Sequence, residues 1–161
     1  MAQVYVDDII FGSTNDELAH SFSKLMQTKF EMSMIGKLTH FLGLQIRQQN
    51  SGIFLSQSKY AKNLVKRSVR GSLLYLIASR PDISYSVGVC ARYQANSKES
   101  HMTTLKRIIK YVKTTTDFGV WYSKDKNDVL VGYSDADWAV NADDRKSTSG
   151  GCFYVGNNFV S

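Results

Sequence analysis

Two pairs of carboxylates stand out among the side chains able to do chemistry. Asp7 and Asp8 are adjacent, between the apolar triplets Val4–Tyr5–Val6 and Ile9–Ile10–Phe11. Two like charges this close stay ionised at low cost only when a cation neutralises them. Mg²⁺, a hard cation held by one or two carboxylates plus substrate phosphates, suits the pair, and two such ions can hold the attacking and leaving oxygens of a phosphoryl transfer. Aspartate also favours turns for purely conformational reasons, so the dipeptide alone admits a bland reading. Asp135 and Asp137 end the run Gly132-Tyr-Ser-Asp-Ala-Asp-Trp-Ala139. At alternate positions of a strand they point to one side, which makes them either a Mg²⁺ pair for nuclease chemistry or a solvated strand end.

Other reactive residue types form no constellation. His20, His40 and His101 are scattered, and Cys90 and Cys152 have neither metal-ligand spacing nor the number a disulfide scaffold needs. The Ser147-Thr-Ser-Gly-Gly151 stretch lacks the frame of a phosphate-cradling loop and reads as a turn. No kinase frame is present.

The elements that must position these residues follow from periodicity and punctuation. Residues 4–11 read as a β-hairpin with the two aspartates at its tip, closed by Gly12–Ser13. A helix follows, capped by Ser13 or Thr14, with Asp16 and Glu17 in its first turn and Leu18, Phe22, Leu25 and Met26 as its apolar stripe. Phe41–Ile46 and Ile53–Leu55 read as strands joined at Asn50-Ser-Gly52. A short basic helix, capped by Ser56 or Ser58, should run to about Arg67 with Tyr60, Leu64 and Val65 inward. Residues 72–79 read as an apolar helix, Arg80-Pro-Asp82 as a break and new helix start, and residues 82–94 as a helix bearing Ile83, Val87, Cys90 and Ala91. Another begins at Asn96 or Ser97 with Met102, Leu105, Ile108, Ile109 and Val112 inward. Strands at 119–122, 129–134, 151–155 and 159–160 complete an α/β (α+β) chain ending in an antiparallel sheet of three or four strands.

The chain has 161 residues, 43% of them hydrophobic and 21% charged, which is ordinary for a globular protein and argues against disorder. No apolar run approaches the roughly 20 residues that cross a bilayer, and Asp7 and Asp8 stand where a signal peptide needs an apolar stretch. An intracellular, cytoplasmic or nuclear location without a membrane partner is expected. The net charge is +6, unevenly spread: residues 32–81 carry eight Lys or Arg and no carboxylate. Phosphate binding explains such a stretch, because each cation that contacts a phosphate releases condensed counterions; a basic surface without a partner is the competing reading.

Taken together the motifs resemble the reverse transcriptase of Ty1/copia-type retrotransposon polyproteins. The resemblance rests on Tyr5-Val-Asp-Asp8 followed by Ile-Ile-Phe-Gly-Ser, Phe41-Leu-Gly-Leu-Gln-Ile46, Ile53-Phe-Leu-Ser-Gln-Ser-Lys-Tyr60, Gly71-Ser-Leu-Leu-Tyr75 and Arg80-Pro-Asp-Ile83. It continues through Gly132–Ala139 and Arg145-Lys-Ser-Thr-Ser-Gly150, which look like the opening of the ribonuclease H domain of such elements. It implies a palm edge and thumb over residues 1–67, a helical connection over 68–116 and a truncated ribonuclease H-like domain over 117–161.

It implies further that Asp7 and Asp8 bind catalytic Mg²⁺ in the polymerase and that Asp135 is the first metal-binding carboxylate of the ribonuclease H. RNA or DNA is then the partner, bound without sequence preference, and Arg47, Lys59, Lys62, Lys66 and Arg67 are the candidate contacts. The family's third polymerase aspartate would precede Met1, its next ribonuclease H acid would follow Ser161, and a linker usual between Arg67 and Gly71 is missing. The chain is therefore expected to be a catalytically inactive fragment with weak nucleic-acid binding and vestigial metal sites, prone to self-association through an exposed sheet edge. Two alternatives are an active subunit completed by another chain and an interaction protein of the kind named secreted RxLR-type effectors, which the 71–161 stretch resembles although Arg67-Ser-Val-Arg70 misses their motif.

Overall fold

A computed structural model describes residues 1–67, 73–124, 127–139 and 145–161. The 68–71 join and the Arg67-Ser-Val-Arg70 motif thus fall largely outside the described residues. The chain is mixed α+β with antiparallel sheets, and it divides into two compact units, Met1–Leu38 and Thr39–Ser161.

In the first unit, β1 (Ala2–Tyr5) and β2 (Asp8–Phe11) form the expected hairpin, with Tyr5 opposite Asp8. Its open end is tied by the Met1 ammonium on the Gly12 carbonyl and the Gly12 N–H on the Met1 carbonyl, both 2.9 Å. α1 (Asp16–Lys29) packs Phe22 against Phe11, ring centres 5.0 Å apart. Neither Ser13 nor Thr14 caps it. Asn15 does, its Oδ1 accepting the Glu17 N–H at 2.8 Å, while the Ser13 hydroxyl accepts the Asn15 N–H.

In the second unit, β3 (His40–Phe41), β4 (Leu44–Gln49), β5 (Gly52–Ser56) and β6 (Gly119–Ser123) form a sheet in that order. The predicted strand over 41–46 is broken at Leu42 and Gly43, both with positive φ. Gly43 is needed there: a side chain on it would strike the Tyr75 hydroxyl, which donates to the Leu42 carbonyl. β6 belongs to this sheet, its Phe54↔Trp121 and Ser56↔Gly119 pairs bridging two distant parts of the sequence. Among the described residues the C-terminal sheet accordingly has three strands, β7 (Leu130–Asp137), β8 (Thr148–Val155) and β9 (Asn158–Phe159). The Ser147–Gly151 stretch, predicted as a turn, lies largely within β8, where Gly150 and Gly151 pair with Asp135 and Ser134. An unbroken eight-residue ladder outweighs the poor strand propensity of two glycines.

The core lies among helices. α2 (Ser58–Arg67), α3 (Leu73–Leu76), α4 (Ser84–Arg92) and α5 (Glu99–Thr114) bury Ala61, Leu64, Leu73, Leu76, Val87, Ile108 and Val112, joined by Ile83. Ala61 is more deeply buried than the predicted Tyr60 and Val65. Two short 3₁₀ turns, Ile77–Ser79 and Pro81–Ile83, separate α3 from α4, so Pro81 opens a 3₁₀ turn and the α-helix begins at Ser84.

Two buried polar nodes lock this arrangement. The Gln57 side chain donates to the Tyr75 carbonyl at 3.1 Å and accepts from the Ser79 hydroxyl at 2.8 Å. Arg80, 1% exposed, grips both oxygens of Asp82 at 2.8 and 2.7 Å and donates to the carbonyl and hydroxyl of Thr115. Its guanidinium also lies 5.5 and 5.4 Å from the ring centres of Tyr111 and Phe118. The Arg80-Pro-Asp82 motif is thus a clasp holding the start of α4 to the end of α5, an assignment that local sequence reading missed.

Candidate nucleic-acid interface

Three strands and two helices position the basic residues. Ser56 of β5 is paired with Gly119 of β6. α2 leaves β5 after Gln57, and α5 reaches β6 through residues 115–118, so the start of α2 and the end of α5 meet at one end of the sheet. There Lys62 Nζ bonds Asp117 Oδ1 at 2.9 Å. Asp117 is held below the usual carboxylate range, first by the hydrogen bond and charge of Lys62 and, in smaller part, by Ser58 and the charge of Arg47. Arg47 sits across β4–β5 from Phe54 with its guanidinium 4.9 Å from the ring centre.

α2 has an unusual start. Helix N-termini favour acidic residues, yet the first turn of α2 has none and carries Lys59, whose N–H is capped by Gln45 Oε1 at 2.8 Å. Lys59, Lys62 and Lys66 are exposed at i, i+3 and i+7, one face of the helix, opposite buried Ala61 and Leu64. The structure therefore brings Arg47, Lys59 and Lys62 to one neighbourhood, with Lys66 continuing the row and Arg67 ending the helix. Not all eight cations of residues 32–81 are available to a ligand, because Arg80 is consumed by Asp82. α5 adds Lys106, Arg107, Lys110 and Lys113, all exposed.

Asp7 is in the two-residue loop of the first hairpin and Asp8 opens β2, both exposed. Val6 has φ 50°, a primed-turn geometry that suits the strand twist but usually needs glycine; a β-branched residue there stores about 1–3 kcal/mol of strain. The donor chemistry fits Mg²⁺, which takes oxygen ligands; two carboxylates fill a minority of its octahedral shell, and water or phosphate oxygens would complete it. Asp135 and Asp137 lie on β7 opposite Gly150 and Thr148, in the other compact unit and on one face with Tyr133, Cys152 and Tyr154. Among the described residues no group of three or more His, Cys, Asp or Glu converges to hold a metal ion.

Comparison with known proteins agrees with the motifs. Residues 1–70 match the family model described as reverse transcriptase (RNA-dependent DNA polymerase). The chain is 30% identical to the uncharacterized mitochondrial protein AtMg00810 of Arabidopsis thaliana, over 98% of this chain and 80% of that one. It is also 30% identical, over 98% of its length, to the retrovirus-related Pol polyprotein from transposon RE1 of Arabidopsis thaliana, of which it spans 13%. A third relative, the secreted RxLR effector protein 161 of Plasmopara viticola, is 37% identical over 62% of this chain and 71% of its own. No solved structure matches. The chain belongs to the copia-type retrotransposon reverse transcriptase family. Among the described residues no helix is long and apolar enough to cross a membrane.

Proposed function

We propose that this chain is a reverse transcriptase-derived nucleic-acid-binding protein that holds phosphate backbones on α2 and Arg47 and catalyses neither DNA synthesis nor hybrid cleavage by itself. On this reading residues 1–67 are palm edge and thumb, 68–116 the connection and 117–161 a ribonuclease H-like segment. The lysine row of α2 carries the proposal: three cations on one exposed face, in a stretch of fifty residues without a carboxylate. Each unit holds one pair of candidate metal-binding acids, Asp7 with Asp8 in the first and Asp135 with Asp137 in the second. Aligning two metals, a nucleophile and a phosphate takes more fixed ligands than one pair, and misplacement by about 1 Å is costly. Weak Mg²⁺ binding at Asp7 and Asp8 without turnover is the expected behaviour.

A salt titration of oligonucleotide binding, read by fluorescence anisotropy, tests the first half. Log affinity should fall linearly with log salt, and replacing Lys62, Lys66 and Arg67 by Gln should reduce the slope by about 2–3; salt-independent binding, or none at low salt, rules the proposal out. Primer extension on RNA and cleavage of an RNA–DNA hybrid, each with Mg²⁺ and Mn²⁺, test the second. Turnover lost in Asp7→Asn or Asp135→Asn would instead favour a site completed by another chain.

The free edge of β7 supports self-association as part of this proposal. Among the described residues nothing pairs with its outer side, and while Asp135 and Asp137 charge its far end, Leu130–Ser134 carries no charged residue or Pro to blunt it. Val129 and Phe153 are exposed nearby, and Val131 and Val155 half-buried. Light scattering should show a concentration-dependent dimer that Ser134→Lys returns to monomer; a monomer at every concentration would refute it.

A further inference from the structure

One face of the four-stranded sheet sets two aromatic rings, those of Phe54 and Trp121, in a row with Arg47. Arg47, Phe54 and Trp121 are consecutive cross-strand partners on β4, β5 and β6. Side chains alternate in a strand, so all three point to one side, and Ile46, Leu55 and Val120 point to the other. Two of the neighbouring positions on the same face are glycines, Gly52 diagonal to Trp121 and Gly119 diagonal to Phe54, and the others on these strands are Gln45, Gln49, Ser56 and Ser123. Both rings lean into the space the glycines leave. Trp121 Cζ2 lies 2.6 Å from where a Cβ on Gly52 would stand, and Phe54 Cζ lies 2.9 Å from a Cβ on Gly119. The rings therefore spread along the sheet surface over two residues without side chains. Trp121 is 38% exposed, and Phe54 is half-buried under the Arg47 guanidinium.

Phe54 and Trp121 are the two large apolar side chains on this face of β4, β5 and β6, whose other side chains, Gln45, Arg47, Gln49, Ser56 and Ser123, are polar. Its surroundings are cationic: Arg47 is in the row, and Lys59 and Lys62 stand where β5 passes into α2. Asp117, the nearby carboxylate, is engaged by Lys62. An anionic ligand with flat apolar faces fits both properties.

We propose that Arg47, Phe54 and Trp121 form a base-stacking platform for single-stranded nucleic acid, one base lying on the indole of Trp121 and a neighbour on the Arg47–Phe54 stack. The platform rests on the nucleic-acid reading above and narrows it to the single-stranded class. Unpaired bases expose their faces to aromatic rings and guanidinium planes, whereas duplex bases are already stacked on one another. Such stacking tolerates any base, in keeping with binding that reads charge rather than sequence.

The test uses the full chain with Trp138→Phe, which leaves Trp121 as its sole tryptophan; Trp138 is 89% exposed, so this change should leave the fold intact. A 12-nucleotide oligo-dT and a 12-base-pair duplex are the probes. Oligo-dT should quench the Trp121 emission and the duplex should not. Trp121→Leu, which keeps an apolar filler over Gly52 but removes the ring, should weaken oligo-dT binding about tenfold and leave the salt slope and duplex affinity unchanged. Lys62→Gln with Lys66→Gln should do the converse, lowering the salt slope while the quench at saturation persists. Circular dichroism and a thermal melt confirm that each variant is folded, and Trp121→Phe, which retains a ring, should restore most of the affinity. If oligo-dT binds with full affinity to folded Trp121→Leu, or binds the parent without quenching, the platform is overturned while phosphate binding stands. Failure of the parent to bind either probe at low salt overturns both.

Discussion

Replacing Asp82 by alanine should destabilise the Thr39–Ser161 unit by about 3 kcal/mol, read as a lowered urea midpoint. The size of the effect comes from what is left behind. Arg80 stays charged at any working pH, and its side chain is 2% exposed against 36% for Asp82. Without the carboxylate it keeps only the Thr115 oxygens and two aromatic faces, and a guanidinium deprived of its counter-charge in the interior is the costly half of a broken pair. Tyr111, whose hydroxyl donates to Asp82 Oδ2 at 2.9 Å, loses its partner too. Lys62→Ala, which breaks an exposed ion pair, should barely move the midpoint. An Asp82→Ala midpoint no lower than that of Lys62→Ala would show that the clasp contributes little.

The same clasp sets the acid response. Burial raises the Asp82 pKa, but hydrogen bonds from Arg80 and Tyr111 and the charge of Arg80 together outweigh it, so the group ends below its ordinary value. A folded-state pKa below that of the unfolded chain means that the contribution is complete above the unfolded value and is lost as pH falls through the folded one. The acid limb of stability should therefore begin below about pH 4 and be shallower in Asp82→Asn.

The parts of the fold legible in the sequence are those whose determinants are local. The two N-terminal hairpins, α1 and the inward stripe of α5 followed from alternation, turn residues and 3.6-residue periodicity. Both carboxylate pairs were visible as well, because adjacency and strand alternation are properties of a few consecutive residues. What escaped depended on partners far along the chain. Arg80 read as a break beside Pro81, since its Thr115 acceptors lie 35 residues away. Trp121 read as one more strand residue, because only the β5–β6 pairing puts it beside Phe54 and over Gly52. The Arg47–Phe54 half of that row was within reach: the Asn50-Ser-Gly52 turn fixes a hairpin register that sets the two opposite each other. Gly150 and Gly151 misled in the other direction, their turn propensity being overridden by a ladder that no local signal announces.

Leu76→Ala should lower the stability of the same unit by a comparable amount for a different reason. Leu76 is 1% exposed and lies in one cluster with Ala61 and Leu64 of α2, Ile83, Val87 of α4, and Ile108 and Val112 of α5. Truncating a leucine in such a place loses its transfer free energy and leaves a cavity that the surrounding helices fill only in part, about 3 kcal/mol together. At roughly 2–4 °C per kcal/mol for a chain of this size, the melt should fall by roughly 9 °C. Leu76→Met, which nearly conserves volume, should cost less than about 1.5 kcal/mol. The consequence for function follows from the position of α2. Its lysine row is held in place by Ala61 and Leu64 in that cluster, so Leu76→Ala should keep its affinity for an oligonucleotide at 25 °C and lose it at a temperature lowered in step with the melt. Lys62→Gln should show the opposite pattern, with weaker binding at every temperature and an unmoved melt. Were folded Leu76→Ala to bind weakly at 25 °C, the lysine row would depend on fine packing of α2 and not merely on its being folded.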